Sequence, residues 1–243
     1  MTKRESMADS ESGKIPEVSV VIPVYKNEQT LEVLVARVSE ALEGEGYSFE
    51  MIFVNDASPD GSRAVLESLE KERETVRVHH HERNLGQNRA LMNGLALVKG
   101  RRVVVMDADL QDIPEYIPAL LKKAEGPNRA VFLRRHGMYQ SKARMLTSRL
   151  YKLPIQWLTG LHYRAGSFFV VDRAVVKRLS EIPVQEPVVT VMVASLASEL
   201  VYVPGDRAHN DGQSGYSFFK RIAYARKGVA CALACRRWVR SAS

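Results

Sequence analysis

Two aspartates separated by a single residue, Asp107 and Asp109, are the clearest candidates for chemistry in this sequence. They directly follow an apolar run that predicts a strand. Residues i and i+2 of an extended segment point to the same side, so both carboxylates could bind one divalent cation. A Mg²⁺ or Mn²⁺ ion held there would stabilise a diphosphate leaving group as a Lewis acid. The alternative is a solvated turn closed by an Asx hydrogen bond.

Three other polar clusters also follow predicted strands, namely Tyr25-Lys-Asn-Glu28, Asn55-Asp-Ala-Ser-Pro-Asp-Gly61 and Glu82-Arg-Asn-Leu-Gly86. Asn55 and Asp56 could hydrogen-bond a nucleobase and a ribose. Alternatively, the same segment is a turn in which Ser58 or Asp60 caps the next helix. Gly86 precedes a predicted helix whose N-terminus favours anions, although an ordinary loop glycine is the alternative. Ligands of open α/β sheets bind beyond the carboxyl ends of the strands, so we expect these clusters to converge.

The elements that must position these clusters alternate between strands and helices. Apolar, β-branched runs predict strands at Val18–Val24, Phe49–Asn55, Val76–His80, Arg102–Met106, Ala130–Leu133 and Phe168–Val171. Apolar residues at helical spacing predict helices between the first four strands, and further helices are expected from Pro114, over about residues 139–158 and near residues 187–199. This alternation indicates βαβ units and a doubly wound, mostly parallel α/β sheet with helices on both faces.

The net charge of +7 is concentrated near the C-terminus. Residues 217–243 hold seven of the 35 basic residues and no acidic one, so the rest of the chain carries 28 basic and 28 acidic residues. This distribution argues against nucleic-acid binding, which needs a basic face on the body of the domain. Residues 217–243 are predicted to form a basic amphipathic helix that either lies on an anionic membrane surface or packs against the domain.

The remaining composition predicts one domain at residues 18–216, preceded by a disordered polar tail at residues 1–17. No stretch reaches the roughly 18 apolar residues of a membrane-spanning helix. Cys231 and Cys235 are poorly placed to pair with each other, so we expect reduced thiols and a cytosolic compartment. Alternation along a strand separates His80 from its two histidine neighbours, so His79-His80-His81 is interpreted as a group of surface histidines rather than a metal site.

In their order along the chain, these motifs resemble glycosyltransferase family 2, in particular its polyprenyl-phosphate sugar transferases, over residues 18 to about 235. The resemblance rests on Val20-Val-Ile-Pro-Val-Tyr-Lys-Asn-Glu28, Val54-Asn-Asp-Ala-Ser-Pro-Asp-Gly61, Arg83-Asn-Leu-Gly86, Met106-Asp-Ala-Asp-Leu-Gln-Asp-Ile-Pro-Glu115 and Asp211-Gly-Gln-Ser-Gly-Tyr-Ser217. It implies a Rossmann-like GT-A fold and an inverting transfer from a nucleotide-diphosphate sugar to a polyprenyl phosphate. It also implies Mg²⁺ or Mn²⁺ as cofactor and peripheral association with the cytosolic face of a membrane.

The resemblance also implies roles for individual residues. The implied donor-site residues are Pro23, Tyr25, Glu28, Asn55, Asp56, Arg83, Gly86 and Ser214. Asp107 and Asp109, with Gln111 nearby, are implied to hold the metal and the diphosphate. Arg134 falls where the family binds the lipid phosphate, and Arg135, Lys142 and Arg144 accompany it. On sequence alone, these basic residues could equally form a solvated helix face.

Three departures from the family concern charged positions. Arg164 stands where relatives carry an acidic residue, His209 where they carry an arginine, and Gly215 where they carry a lysine. Arg207 or His209 could replace the missing cation, which makes Arg207 a further catalytic candidate. The departures leave two alternatives open: the same donor chemistry with a soluble metabolite, glycan or protein as acceptor, and a weakened nucleotide-sugar-binding module. Whether the chain forms a homo-oligomer also stays open.

Overall fold

The computed structural model describes residues 15–135, 153–206, 208 and 218–241, in which strands and helices alternate. The strands are β1 (Val18–Val24), β2 (Phe49–Asn55), β3 (Val76–His80), β4 (Arg102–Val105), β5 (Arg129–Arg135), β6 (Ala165–Asp172) and β7 (Glu199–Gly205). The helices are α1 (Leu31–Glu43), α2 (Ser62–Glu72), α3 (Gln87–Leu95), α4 (Ile117–Lys123), α5 (153–159), α6 (Arg173–Glu181), α7 (Val189–Leu196) and α8 (Phe218–Ser241). A 3₁₀ turn at Pro114–Tyr116 precedes α4.

The strands form one seven-stranded sheet in the order β3-β2-β1-β4-β6-β5-β7. β6 runs antiparallel to its neighbours β4 and β5, and the other strand pairs are parallel. The carboxyl ends of the six parallel strands therefore meet at one edge of the sheet, together with the amino end of β6. This topology confirms the predicted doubly wound, mostly parallel α/β sheet.

Both faces of the sheet are covered, which explains why β1, β2 and β4 are buried along their whole length. The core against one face includes residues of α1, α2 and α4, and the core against the other includes residues of α3, α6, α7 and α8. A Cβ atom on Gly94 in α3 would lie only 2.6 Å from Val21 Cγ1 and 3.0 Å from Val54 Cγ2. The missing side chain of Gly94 therefore lets α3 lie directly on β1 and β2.

Helix α8 packs against the domain through small residues. Ala225, Cys231, Ala232 and Cys235 are buried, and the two cysteines are free thiols, as expected from their spacing. The basic residues of α8 that follow Lys227 are exposed. Of the two predicted arrangements for this segment, the structure shows packing for the face that carries these small residues, whereas Leu233 of the same helix is exposed.

We expect Gly228→Val to loosen α8. A Cβ atom at this position would lie 2.5 Å from Ile155 Cδ1 in α5, so a branched side chain would overpack the contact and lower the free energy of unfolding by about 1–3 kcal/mol. Urea denaturation measures the change, and Ala230→Val, at an exposed position of the same helix, is the matched control. Equal stability of both variants would show that α8 does not pack on the domain.

Several predictions concern residues outside the described ranges. They are most of the tail at residues 1–17, the acceptor candidates Lys142 and Arg144, most of the helix expected at residues 139–158, and the loop residues Arg207, His209, Ser214 and Gly215. The side chain of Arg135 also lies outside them. Within the part of the chain that the structure describes, the helices are too short or too polar to cross a membrane.

Candidate active site

A cavity of about 350 Å³ lies at the edge of the sheet where the carboxyl ends of the parallel strands meet. Its walls come from the ends of four strands and the segments that follow them: Pro23 and Val24 at the end of β1 with Tyr25 and Asn27 after it, Asp56 after β2, Asn84, Gly86 and Gln87 after β3, and Asp107, Ala108 and Asp109 after β4. The four polar clusters of the sequence therefore contribute to one cavity, as predicted.

Side chains from other elements hold Asp107 in place within this cavity. Gln87 Nε2, at the start of α3, donates to Asp107 Oδ1 over 2.6 Å, and Ser167 Oγ, near the start of β6, donates to Asp107 Oδ2 over 2.7 Å. The Asp107 backbone N–H donates to the buried carboxylate of Asp112 over 3.1 Å. The Asp107 side chain is thus oriented by both α3 and β6.

Asp109 is oriented by its own loop. Its Oδ1 atom accepts the backbone N–H of Gln111 over 3.0 Å. The hydroxyl of Thr30 donates to the carbonyl of Ala108 over 2.6 Å, which ties the intervening residue to the start of α1. Among the contacts of the described residues, Gln111 takes part through its backbone, and its predicted role as a metal ligand stays a prediction.

The donor set of Asp107 and Asp109 suits a hard divalent cation that takes its other ligands from a substrate. Within the described residues there is no group of three or more histidine, cysteine, aspartate or glutamate side chains arranged to bind a metal. Mg²⁺ commonly binds through one or two carboxylates together with substrate phosphates and water. Two carboxylates on a cavity wall fit that pattern, whereas they would be too few for a metal held by protein side chains alone.

Asp56 is buried, and its carboxylate has three hydrogen-bond partners in the loop after β3, which forms the neighbouring wall of the cavity. Its Oδ1 accepts the backbone N–H of Leu85 over 2.8 Å, and its Oδ2 accepts the backbone N–H of Gly86 over 2.7 Å. His81 Nδ1 also lies 2.8 Å from Asp56 Oδ1, and His81 Nε2 lies 2.9 Å from Asn93 Nδ2 in α3. The Asp56 side chain therefore shapes the loop that carries Gly86.

The interpretation of all three histidines as surface residues is wrong for His81. Only 8% of its surface is exposed, and both ring nitrogens have partners. His80 is partly buried and lies 3.1 Å from Asn55 Nδ2 through its Nδ1 atom, while His79 is exposed. Alternation separated the residues inside β3 correctly, but His81 comes after the strand, where the chain turns into the site.

Three other predicted donor-site residues lie near the cavity without lining it. Glu28 is exposed and accepts the backbone N–H of Gly61 over 2.9 Å. Asn55 is buried, and its Oδ1 accepts the backbone N–H of Ser58 over 3.1 Å. Arg83 is exposed beside the cavity loop. Glu28 and Asn55 thus brace the loops after β1 and β2, and direct contacts of all three with a donor stay predictions.

The backbone adopts the left-handed region after each of the four strands. Lys26 has a φ of 62°, Ala57 of 51°, Leu110 of 58° and Gly86 of 87°. For residues other than glycine this conformation is costly, and it clusters at functional sites where the surrounding structure enforces it. The loops after β1, β2 and β4 therefore hold conformations that the local sequence alone would disfavour, whereas Gly86 suits its position after β3.

The loop after β2 contains a carboxylate with a strongly lowered pKa. Burial opposes ionisation of Asp60, but hydrogen bonds from Ser62 and Ser58 and from backbone N–H groups outweigh it and lower the pKa to about 2. Its Oδ1 accepts the backbone N–H of Ser62, the first residue of α2, over 3.2 Å. The N-cap position itself is Gly61 and has no side-chain cap hydrogen bond, so Asp60 satisfies one N–H of the first turn without being the predicted N-cap residue.

We expect Asp60→Asn to destabilise the protein at neutral pH. Because the folded-state pKa lies below the usual value of 3.8, the charged form contributes stability above about pH 4 that is lost as the pH falls toward 2. The difference in free energy of unfolding between wild type and variant should therefore shrink over that range in urea titrations. Ser58→Ala, which removes one donor, should show a smaller dependence of the same sign, and a difference that grows on acidification would contradict the assignment.

Two arginines lie where β5 ends and β6 begins. Arg134 is at the carboxyl end of β5, where it is partly buried and pairs in register with Ala165. Arg164 precedes β6, and its Nε atom is buried without a hydrogen-bond partner in the described ranges. The guanidinium of Arg164 lies 5.6 Å from the centre of the Tyr163 ring. The structure thus places Arg134 at the same sheet edge as the aspartates, and its binding role stays a prediction.

Sequence reasoning missed Gln87, Ser167 and His81. Gln87 directly follows the predicted loop that ends at Gly86, and it is the first residue of α3. Its position at the start of a predicted helix could therefore have identified it as a site residue. Ser167 reaches Asp107 because β6 is antiparallel to β4, with Phe169 opposite Val105. That pairing joins residues more than sixty positions apart, and no local pattern indicates it.

Comparison with known proteins identifies relatives of this chain by sequence. The profile of glycosyl transferase family 2 matches residues 19–180. The undecaprenyl-phosphate 4-deoxy-4-formamido-L-arabinose transferase of Yersinia enterocolitica is 31% identical over 228 residues, which cover 91% of this chain and 69% of that protein. An uncharacterized glycosyltransferase of Synechocystis sp. is 30% identical over 217 residues, covering 88% of this chain and 68% of that protein.

Solved structures share the fold. Glucosyl-3-phosphoglycerate synthase from Mycobacterium tuberculosis, in complex with Mn²⁺, UDP and phosphoglyceric acid, matches with a TM-score of 0.65 at 21% identity, covering 90% of this chain and 78% of that one. The mannosyltransferase PcManGT from Pyrobaculum calidifontis, in complex with GDP-Man and Mn²⁺, matches with a TM-score of 0.60 at 17% identity, covering 94% and 76%. With the family profile extending over most of the sheet, this chain belongs to glycosyltransferase family 2 and has the GT-A fold.

Proposed function

We propose that the chain transfers a sugar from a nucleotide-diphosphate sugar to a polyprenyl phosphate, with inversion at the anomeric carbon and with Mg²⁺ or Mn²⁺ as cofactor. The observation that carries the proposal is the joining of Asp56, Asp107 and Asp109 in one cavity at the carboxyl edge of the sheet. Asp107 and Asp109 are the residues that would hold the cation. When bound, the cation supplies Lewis-acid stabilisation of the diphosphate leaving group.

The chain's own residues act mainly by positioning. Gln87 and Ser167 orient Asp107, and the loop organised by Asp56 brings Gly86 to the cavity wall. An acceptor phosphate is already anionic, so its attack requires alignment and charge neutralisation more than a strong base. Arg134 is the residue that we assign to the acceptor phosphate, because a guanidinium can hold phosphate oxygens in a bidentate manner.

The relatives support this acceptor class. The Yersinia protein, which is 31% identical to this chain, is named as an undecaprenyl-phosphate sugar transferase. The two structural neighbours were solved with Mn²⁺ and with UDP or GDP-Man, which supports a divalent cation and a nucleotide-linked donor.

A soluble phosphorylated acceptor is the second candidate. The Mycobacterium tuberculosis neighbour was solved with phosphoglyceric acid, and Arg164 adds a cation with a buried, unpaired Nε near Arg134 in the described part of the chain. The positively charged side chain of Arg164 could bind the carboxylate or phosphate of a small acidic acceptor as well as a lipid phosphate.

Sugar transfer to two matched acceptors distinguishes the candidates. The full chain would be incubated with Mn²⁺, a panel of radiolabelled nucleotide sugars, and either undecaprenyl phosphate in detergent micelles or 3-phosphoglycerate in solution. We expect label in the organic phase with the lipid acceptor only. Label in the aqueous product would favour the soluble acceptor, and donor binding without transfer to either would indicate a binding module.

We further propose that a surface formed by α5 and α8 contacts anionic lipid on the cytosolic face of a membrane. The surface consists of Leu153, Trp157, Leu233, Arg236, Arg237 and Arg240, all of which are exposed. Trp157 is 80% exposed, and the Arg236 guanidinium lies 5.9 Å from the centre of its ring. An exposed tryptophan flanked by arginines is typical of membrane interfaces, where the ring enters the headgroup layer and the cations meet anionic lipid.

We expect Trp157→Ala to weaken binding to phosphatidylglycerol-containing vesicles several-fold in a sedimentation assay, because the most exposed apolar group of this surface is lost. The matched control is Leu97→Ala, which removes an exposed leucine that follows α3. Binding of the wild type should decrease at high salt and be weaker on phosphatidylcholine vesicles. Vesicle binding that does not change in Trp157→Ala would exclude this surface.

A further inference from the structure

The hydrogen bonds of Asp56 limit what its carboxylate can offer to a ligand. A carboxylate has about four acceptor positions, two on each oxygen. On Oδ1 both are used, by the backbone N–H of Leu85 and by His81 Nδ1, each at 2.8 Å. On Oδ2 one is used, by the backbone N–H of Gly86 at 2.7 Å. Within the described residues, one acceptor position on Oδ2 is left for a molecule in the cavity that Asp56 lines.

His81 is held in the orientation that occupies Oδ1. Its Nδ1 lies 2.8 Å from Asp56 Oδ1, and a carboxylate oxygen can only accept, so Nδ1 carries the hydrogen of this bond. Its Nε2 lies 2.9 Å from Asn93 Nδ2 on the other side of the ring. The two side chains are each only 4% exposed, which shields this hydrogen bond from exchange with water. Asn93 belongs to α3, whose close packing on the sheet keeps the ring in place.

We infer that the donor site prefers a uracil nucleotide over a guanine nucleotide, and that His81 sets this preference through Asp56. The inference rests on the proposed use of a nucleotide-diphosphate sugar. Uracil presents one ring N–H, which matches the single acceptor position on Oδ2. Guanine presents a ring N–H and an adjacent amino group, and a carboxylate binds both only when each oxygen has a free acceptor position. With Oδ1 occupied, one guanine donor would be desolvated without a partner.

The test compares the dissociation constants of UDP and GDP for the full chain in the presence of Mn²⁺, measured by isothermal titration calorimetry. We expect the wild type to bind UDP about tenfold more tightly than GDP or better, since an unsatisfied buried donor costs about that factor in affinity. His81→Leu removes the donor that occupies Oδ1, so the ratio of the two constants should fall toward one.

A second variant separates this role from a purely structural one. His81→Asn keeps an N–H donor near the Nδ1 position, so it should retain most of the preference for UDP. A structural role of His81 would instead weaken both nucleotides equally and leave the ratio unchanged, which would overturn the inference.

The wild-type ratio is informative even if His81→Leu does not fold. Binding of GDP as tight as that of UDP would overturn the base preference while leaving the proposed function standing. Absence of binding of either nucleotide would contradict the proposed function, and the inference with it.

Discussion

Sugar transfer is expected to fall by at least about a thousandfold in Asp109→Ala, because loss of one of two cation-binding carboxylates removes several kcal/mol of stabilisation from the departing diphosphate. Asp109 lines the cavity, and its Oδ1 accepts the backbone N–H of Gln111 over 3.0 Å. We expect the substitution to affect the reaction more than the fold, because Asp109 is partly exposed at the cavity wall. Initial rates at saturating donor and varied Mn²⁺ concentration measure the effect.

The matched control for this experiment is Glu82→Ala. Glu82 is an exposed carboxylate in the loop after β3 that does not line the cavity among the described residues. This variant should keep near wild-type rates and the same dependence on Mn²⁺. If Asp109→Ala also keeps full activity, the aspartate pair is not the cation site.

Asp56→Ala should lower the free energy of unfolding by about 2–4 kcal/mol, because it leaves two backbone N–H groups and a buried histidine without their acceptor. The hydrogen bonds lost are those to Leu85, Gly86 and His81. The loop that carries Gly86 forms part of the cavity wall, so nucleotide affinity should fall together with stability. Urea denaturation and nucleotide titration give the two quantities independently.

The control is Asp60→Ala in the same loop region. Asp60 also accepts backbone N–H groups, from Glu28 and Ser62, but it is less buried than Asp56, so its loss should cost less stability and leave nucleotide affinity nearly unchanged. A larger loss of stability in Asp60→Ala than in Asp56→Ala would contradict the role of Asp56 in shaping the loop after β3.

The first half of the fold could be predicted from sequence because its patterns are local and strong. β1 and β2 are apolar runs buried on both faces, and their observed bounds are the predicted ones. The strand-end rule then placed Asp56, Gly86, Asp107 and Asp109 at a common edge, since the carboxyl ends of parallel strands in one sheet must meet there. Those four residues do line one cavity.

The second half was harder because its pattern is less regular. β7 (Glu199–Gly205) and α6 (Arg173–Glu181) were not predicted, and the expected helix near residues 187–199 is confined to α7. β7 is an edge strand with mostly half-buried residues, so it lacks the continuous apolar run of β1. The antiparallel placement of β6 between β4 and β5 depends on tertiary pairing, and it is this placement that brings Ser167 to Asp107.

Side-chain roles within the site depended on contacts that no spacing reveals. Glu28 and Asn55 accept backbone N–H groups of the loop after β2, which their spacing did not indicate, and their predicted contacts with the donor stay predictions. His81 was dismissed because alternation along β3 was extended one residue too far. In each case the residue type was correct for a polar site, but the partner was set by the turn that follows the strand.

The most direct test of the central claim is a crystal structure of the full chain with Mn²⁺ and the nucleotide sugar that it binds most tightly. We expect the metal between the diphosphate and the carboxylates of Asp107 and Asp109, with the base next to Asp56. A nucleotide bound elsewhere on the sheet, or a metal that contacts neither aspartate, would contradict it.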